Sequence, residues 1–326
     1  MAMSRQTMNT SINFAENLYP LSTTPIFSNS KNICVRNFFE KDFSCYEYFN
    51  DKVAPQFHFF FAHANGIPAQ TYSSFFKNVC LRFPVRILSY DMRGIGFTKK
   101  EPPKNFNQLN NWTVLLDDQK NLLESFYSPQ ETWFIGGHSL GAWLSYLCLD
   151  FFQLQNLILF DPPILPFWTI LKWNVAKIIG KPELSPNAIK VKQRKKVFAT
   201  REEIFERYKK SNLMKDWESE CIWNYIDACF ELKKDHWYHL RHDPNWEARM
   251  FEEYPSSAMS LFLQLSQERR KQLNPVLYVG ENSDTCNPNA KNWVKFFLPN
   301  VKWKTVNKGE HMFLMTKEFS NNFINI

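Results

Sequence analysis

Short apolar runs rich in Phe, Ile, Val and Tyr recur along this chain, and helix-length stretches separate most of them. The runs are Phe57–Ala62, Val85–Tyr90, 132–135, 157–160, 276–279 and 301–306, each closing on Gly, Asp or Pro. Between them lie stretches such as 69–82, 108–126 and 287–297. Strands that alternate with helices build parallel β-α-β units, and near-continuous apolarity marks strands buried on both faces. Residues 33–48 add two further strands, expected as an antiparallel edge pair. The alternation breaks between about Leu165 and Gln272, where the sequence becomes charged, tryptophan-rich and helix-like, and it resumes at Pro275.

The simplest account is one α/β domain interrupted by an insertion. Residues 31–164 and 273–326 form the core, 165–272 a helical cap between its sixth and seventh strands, and 1–30 a loose N-terminal arm. A cap there would cover the C-terminal edge of the sheet, where open α/β folds bind their ligands. With 44% apolar, 17% aromatic and 22% charged residues, the 326-residue chain can build a packed core and is not expected to be disordered.

Glycine locates the chemistry. The chain has nine, where average usage of about 7% would give more than twice that number. All but Gly180 follow candidate strands, at turns where backbone must bend tightly or approach a ligand. Seven scattered cysteines without a Cys-x-x-Cys pair argue against a disulfide framework and against a zinc site, and fit a reducing, cytoplasmic setting. The longest apolar approach to a membrane span, 156–173, is interrupted by Asp161, Pro162, Pro163 and Pro166. The first 30 residues lack the pattern of a secretory signal.

Ser139 lies in Gly137-His138-Ser139-Leu140-Gly141, between an apolar run and a helix-like stretch. A Gly-x-Ser-x-Gly alone is a weak pattern. With a strand before it and a helix after it, the serine sits on the sharp turn that lifts a nucleophilic hydroxyl clear of the backbone.

An activated serine needs a base, and the base needs an orienting acid. His311, after the last strand in Gly309-Glu310-His311-Met312, is the candidate base. Asp284, after the strand 276–279, is the candidate acid, placed ahead of Asp161 and Glu281 on chain order. The oxyanion would take the backbone N–H of Leu140 and that of Asn65, in His63-Ala64-Asn65-Gly66, with Gly66 as the alternate. Asp91 and Arg93, in the turn after Val85–Tyr90, could bind substrate but read better as a loop-fixing ion pair. That turn is not a Gly-x-Gly-x-x-Gly fingerprint, so no dinucleotide is implied.

Together the turns at His63–Gly66, Asp91–Gly96, Gly137–Gly141, Asp284 and Gly309–Met312 resemble the α/β-hydrolase superfamily, specifically its serine hydrolases with a helical lid. The likeness spans about residues 55 to 320. The lid text, from Arg194-Lys195-Lys196-Val197-Phe198 through Asn245-Trp246-Glu247-Ala248, is similar to members of lipase or esterase type. The resemblance implies an α/β-hydrolase fold and an acyl-enzyme mechanism without a cofactor. Ala64 departs from the Gly that many relatives carry after the His. A serine nucleophile disfavours the epoxide and carbon–halogen chemistry of relatives that use aspartate.

The expected activity is cleavage of a carboxylic ester with an apolar, medium-sized acyl group. The same triad could serve a thioester, lactone, amide or carbon–carbon bond, and a catalytically idle ligand- or lipid-binding protein is the reading from another class. Phe167 and Trp168, in the aromatic stretch 165–173, are candidates to line the acyl pocket, although packing of the lid onto the body explains that stretch as well. His236, His239 and His242 have helical spacing but no supporting ligand pattern, so no metal is expected.

The chain carries a net charge of +7, and residues 164–273 hold 20 Lys and Arg against 15 Asp and Glu. The run 190–196 suits a solvated basic face better than nucleic acid, for no nucleic-acid motif accompanies it. Peripheral membrane contact through the cap is compatible with this charge.

Overall fold

The computed structural model describes residues 32–105, 112–181, 185–254 and 258–322. The N-terminal arm expected over 1–30 lies outside the described residues. Eight strands form the main sheet: β1 (Ile33–Glu40), β2 (Phe43–Asn50), β3 (Phe57–Ala62), β4 (Val85–Tyr90), β5 (Trp133–His138), β6 (Asn156–Phe160), β10 (Asn274–Gly280) and β11 (Lys302–Val306). Their spatial order is β1-β2-β4-β3-β5-β6-β10-β11. The pairs β1/β2 and β2/β4 are antiparallel and all others are parallel. The expected edge hairpin is therefore present, closed by Lys41 and Asp42, both at positive φ (49° and 70°). Two successive residues of that kind make the two-residue turn whose twist suits paired strands.

The inner parallel strands are apolar on both faces because helices cover both; the edge strand β11, with Lys302 and Lys304, is not. Phe60, Leu88, Ile135 and Leu159 belong to one buried cluster, and Phe59, Phe61, Ile87 and Phe160 to the other. Helices Ser73–Arg82, Thr113–Glu124, Leu140–Cys148 and Lys291–Phe297 follow β3, β4, β5 and β10 as the alternation predicts.

Between β6 and β10 lie helices that include Phe167–Ile178, Pro186–Lys192, Arg201–Lys209, Ser219–Cys229 and Pro244–Glu252. This stretch, expected to be helical, also holds a small antiparallel sheet of β7 (Val197–Phe198), β8 (Phe230–Leu232) and β9 (Tyr238–Leu240), in the order β7-β9-β8. Its strands are only two or three residues long, too short to show a period of two in sequence. The turn between β8 and β9 uses His236 at φ 64°.

The insertion is tied to turns at the C-terminal ends of the main strands. Asn65 Nδ2 donates to the carbonyl of Glu247 at 3.0 Å, and Trp246 Nε1 to that of Arg93 at 2.7 Å. The Tyr254 hydroxyl donates to the carbonyl of Pro163 at 2.7 Å.

Candidate active site

Ser139 stands where β5 ends and helix Leu140–Cys148 begins, with φ 55° and ψ −120°. A non-glycine residue there is strained, and it persists because its surroundings hold it: its N–H donates to the Phe160 carbonyl at 2.9 Å, and its carbonyl accepts from Ala142 at 3.0 Å. A Cβ on Gly141 would lie 2.2 Å from the Ala62 carbonyl oxygen, and one on Gly137 2.5 Å from the same atom. The two glycines therefore let the end of β3 close against the serine turn. They do more than relieve crowding within the turn itself.

His311 lies after β11, and its Nδ1 is 2.7 Å from Oδ2 of Asp161. Asp161 is fully buried at the end of β6, with φ 45°. Its Oδ1 accepts the Gly280 N–H at 2.9 Å, and its Oδ2 also accepts the Ser283 hydroxyl.

Asp284, the acid expected from chain order, is exposed and accepts from the hydroxyl of its neighbour Thr285 at 3.0 Å. The register explains the difference. Phe160 pairs with Tyr278 across β6 and β10, so Asp161 is level with the last residues of β10, whereas Asp284 lies four residues past the strand end. The turn after β10 sends Ser283 inward to the carboxylate in place of Asp284. Glu281, the other competitor, accepts the Lys308 N–H at 2.8 Å.

The His63–Gly66 turn approaches from β3. The Ala64 N–H donates to the Tyr72 hydroxyl at 3.0 Å, which removes that amide from the candidates for an oxyanion and leaves those of Asn65 and Gly66 beside Leu140. His63 Nδ1 donates to the Ala64 carbonyl at 2.7 Å, while Nε2 accepts the Met92 N–H at 2.8 Å. Burial lowers its pKa to about 4, so the ring is neutral and its tautomer is set by these two bonds.

Two further groups carry no obvious signal in sequence. His138 is buried, with Nε2 at 2.9 Å from the backbone carbonyl of His311 and Nδ1 at 2.8 Å from the Tyr72 hydroxyl. Burial, then the charge of His311, hold His138 well below the usual imidazole range. Neutral His138 must donate from Nε2, since a carbonyl only accepts, and so its Nδ1 accepts from Tyr72. Tyr72, whose phenol burial pushes far up, keeps the proton that this requires. One chain of bonds thus joins the Ala64 turn, the serine turn and the His311 loop.

Asp91 and Arg93 do not pair with each other as expected. Asp91 accepts from Tyr46 Oη, Ala69 N and Phe97 N, each at 2.9 Å. Burial raises its pKa to about 6. Arg93 grips Asp118 through two bonds, of 2.7 and 2.5 Å. Both side chains still pin the turn, each to a different element.

Above Gly66 sits a buried ionic cluster of the insertion. Glu247 accepts from Arg194 Nη2 at 2.5 Å and His242 Nε2 at 2.8 Å. Burial pushes its carboxyl up, but the charges of Arg194 and His242 outweigh it and hold the group below the ordinary glutamate value. His239 bonds Asp235 instead, so the histidines with helical spacing do not converge on a common point.

Phe167 opens helix Phe167–Ile178; its side chain is not among those described. Trp168, expected to line the acyl pocket, is 70% exposed. The helix turns Trp173 inward, 5.6 Å from the Tyr254 ring. Five residues earlier is a rotation of roughly 140° about the axis, which carries Trp168 outward. A separate cleft of about 600 Å³ opens beyond the His311 loop, lined by Trp217, Tyr278, Lys304 and Phe319 among others, and contains neither Ser139 nor Asp161.

No family model matches the chain, and no curated protein matches it in sequence. Its fold, in contrast, recurs in solved structures. The thioesterase domain from the curacin biosynthetic pathway superposes with a TM-score of 0.67 at 12% identity, over 91% of this chain and 98% of that one. E-2-(acetamidomethylene)succinate hydrolase gives 0.64 at 12% identity, covering 87% and 94%. The peroxisomal alpha-beta-hydrolase Lpx1 of Saccharomyces cerevisiae gives 0.63 at 16% identity, covering 91% and 88%. The chain has the α/β-hydrolase fold.

Proposed function

We propose that this protein is a serine hydrolase that cleaves carboxylic esters through an acyl-enzyme, with Ser139 as nucleophile, His311 as base and Asp161 as the orienting acid. The observation that carries this reading is the 2.7 Å contact between Asp161 and His311 Nδ1, in a fold where Ser139 occupies a strained strand-to-helix turn at φ 55°. With Nδ1 engaged, Nε2 is the nitrogen free to take the serine proton.

Ser139 Oγ attacks the ester carbonyl as its proton passes to His311 Nε2. The oxyanion is met by the backbone N–H groups of Leu140 and Asn65, the first of which opens a helix. Collapse expels the alcohol, which takes the proton from His311. Water then repeats the sequence: His311 accepts its proton, the acyl group is released as a carboxylic acid, and Ser139 is restored. Residues 165–272 act as a cap over this centre, a role supported by the bonds from Asn65 to Glu247 and from Trp246 to Arg93.

The test is hydrolysis of p-nitrophenyl esters from acetate to palmitate by the wild type and by Ser139→Ala. Serine-dependent turnover is expected, with kcat lost on the order of a millionfold in the variant. The preferred chain length measures the acyl pocket. Full activity in Ser139→Ala would end the proposal. A fluorophosphonate probe should label the wild type and spare the variant.

A further inference from the structure

Helix Phe167–Ile178 displays an apolar face to solvent. Trp168, Leu171, Val175 and Ile178 are 70, 41, 49 and 84% exposed, and Ile179 just beyond is 58% exposed. Their spacing of three or four residues aligns them on one side of the helix. On the other side Trp173 faces Tyr254, and Lys177 bonds the Tyr254 carbonyl. The helix is therefore held along one edge while Leu171, Val175 and Ile178 lie on its exposed side. A contiguous exposed apolar face is costly in water and marks a surface that is covered in use.

Charge identifies the cover. From Phe167 to Lys181 the sequence carries Lys172, Lys177 and Lys181 and no Asp or Glu, and Lys172 and Lys181 are exposed. Aromatic and branched aliphatic side chains on one side, with lysines and no acid on the same element, are what a helix needs to lie in the headgroup layer of an anionic bilayer. Among the described residues no helix is long and apolar enough to cross a membrane, so the contact would be along the surface.

We propose that helix Phe167–Ile178 docks this protein on anionic phospholipid membranes, inserting Trp168, Leu171, Val175 and Ile178 with Lys172 and Lys181 at the headgroups. The helix is linked to the candidate site through the residues on its inner side. Tyr254, which anchors the helix, donates to the Pro163 carbonyl, as does Trp143 Nε1 from the helix that follows Ser139. A lipophilic ester leaving the bilayer would thus meet the protein beside its catalytic strands. That last step alone rests on the proposed esterase activity; the docking does not.

Co-sedimentation of the full chain with vesicles tests the docking without any activity readout. The wild type should bind vesicles of equal parts phosphatidylcholine and phosphatidylglycerol, bind pure phosphatidylcholine much less, and release at high salt. Leu171→Ser with Ile178→Ser should cut partitioning by more than about tenfold. Leu81→Ser should leave it unchanged, because Leu81 is an exposed apolar residue on a different helix, Ser73–Arg82, between β3 and β4.

Should the double variant fail to fold, Lys172→Glu at an exposed position replaces it. Loss of one lysine costs roughly fivefold on an anionic surface, and charge reversal costs more. Wild type that stays in the supernatant, or variants that bind as it does, would overturn the proposal. So would a wild-type dimer that the double variant dissociates, because the face would then belong to a second copy of the chain.

Discussion

The Tyr72 hydroxyl stands 2.8 Å from Nδ1 of His138, and through this hydroxyl the turn after β3 is bonded to the turn that carries Ser139. The hydroxyl serves both sides, accepting from Ala64 N at 3.0 Å and donating to a ring whose other nitrogen holds the His311 carbonyl at 2.9 Å. Tyr72→Phe keeps the shape and deletes both bonds, leaving a buried amide and a buried ring nitrogen unsatisfied. Each such group costs about 1–3 kcal/mol. We expect a lower urea midpoint and, on the proposed mechanism, a fall in kcat of about tenfold with little change in KM, since the His311 loop and the His63–Gly66 turn lose their alignment. Steady-state kinetics on the best p-nitrophenyl ester decides it. A stability loss with unchanged kcat would mean the bond only holds the fold together.

The choice between carboxylates is equally accessible. Asp161→Asn can still bond the His311 ring but favours the wrong tautomer, and kcat should fall by about 10³–10⁴. Asp284→Asn, at an exposed position where the carboxylate accepts from the Thr285 hydroxyl, should keep kcat within about twofold, as surface changes usually do. Measuring both variants under one set of conditions separates them. Equal losses would revive Asp284 as the acid.

What sequence could and could not disclose follows from the range of each interaction. Strands β3 and β4 are legible to the residue because each is a closed apolar run ending in a turn, and the serine turn is legible because its glycines flank it. His311 needs only its place after the last strand. The acid is different. Asp161 and Asp284 both follow strands, and only the register of β6 on β10, with Phe160 opposite Tyr278, decides which carboxylate reaches the ring. Tyr72 lies 66 positions from His138 and has no local pattern to announce it. The short strands of the insertion were hidden for the opposite reason, being too brief to carry a period.

Acid should weaken the fold through its buried histidines. His63 and His58 are both lowered to about 4, chiefly by burial, from an ordinary value near 6.5. Groups depressed in this way contribute stability that is complete above the unfolded pKa and lost as pH falls towards the folded one. The window is pH 6.5 to 4, and each ring contributes on the order of 3 kcal/mol across it. Asp91 works against them. Its folded pKa of about 6 is raised, so the stability it adds is present at low pH and disappears as pH rises through 4 to 6. Two histidines and the similarly depressed His138 outweigh one aspartate, so the urea midpoint should drop between pH 6.5 and 4. His63→Gln keeps an acceptor that cannot titrate and should flatten the slope by up to one proton. An unchanged slope in that variant would show that His63 is already charged or exposed at neutral pH.

Gly66 and Gly180 offer a matched pair for measuring what the insertion does to the His63–Gly66 turn. Both have a left-handed backbone, with φ 70° and 72°, so replacement by Ala costs each the same backbone strain of about 1–2 kcal/mol. Around Gly180 nothing lies within 4 Å of an added Cβ, whereas at Gly66 it would stand 2.3 Å from Oε1 of Glu247. Glu247 cannot swing away cheaply, because Arg194 and His242 both depend on its carboxylate in a buried setting, and breaking such a cluster costs about 3–5 kcal/mol. The alternative is displacement of the turn that presents the Asn65 amide. Gly180→Ala should therefore lose only the backbone term and keep its kcat. Gly66→Ala should lose several kcal/mol more, or lose kcat by about 10²–10³ if the turn yields instead. Thermal melts and ester kinetics on the two variants read both outcomes. Equal behaviour would show that Glu247 does not press on the turn in solution.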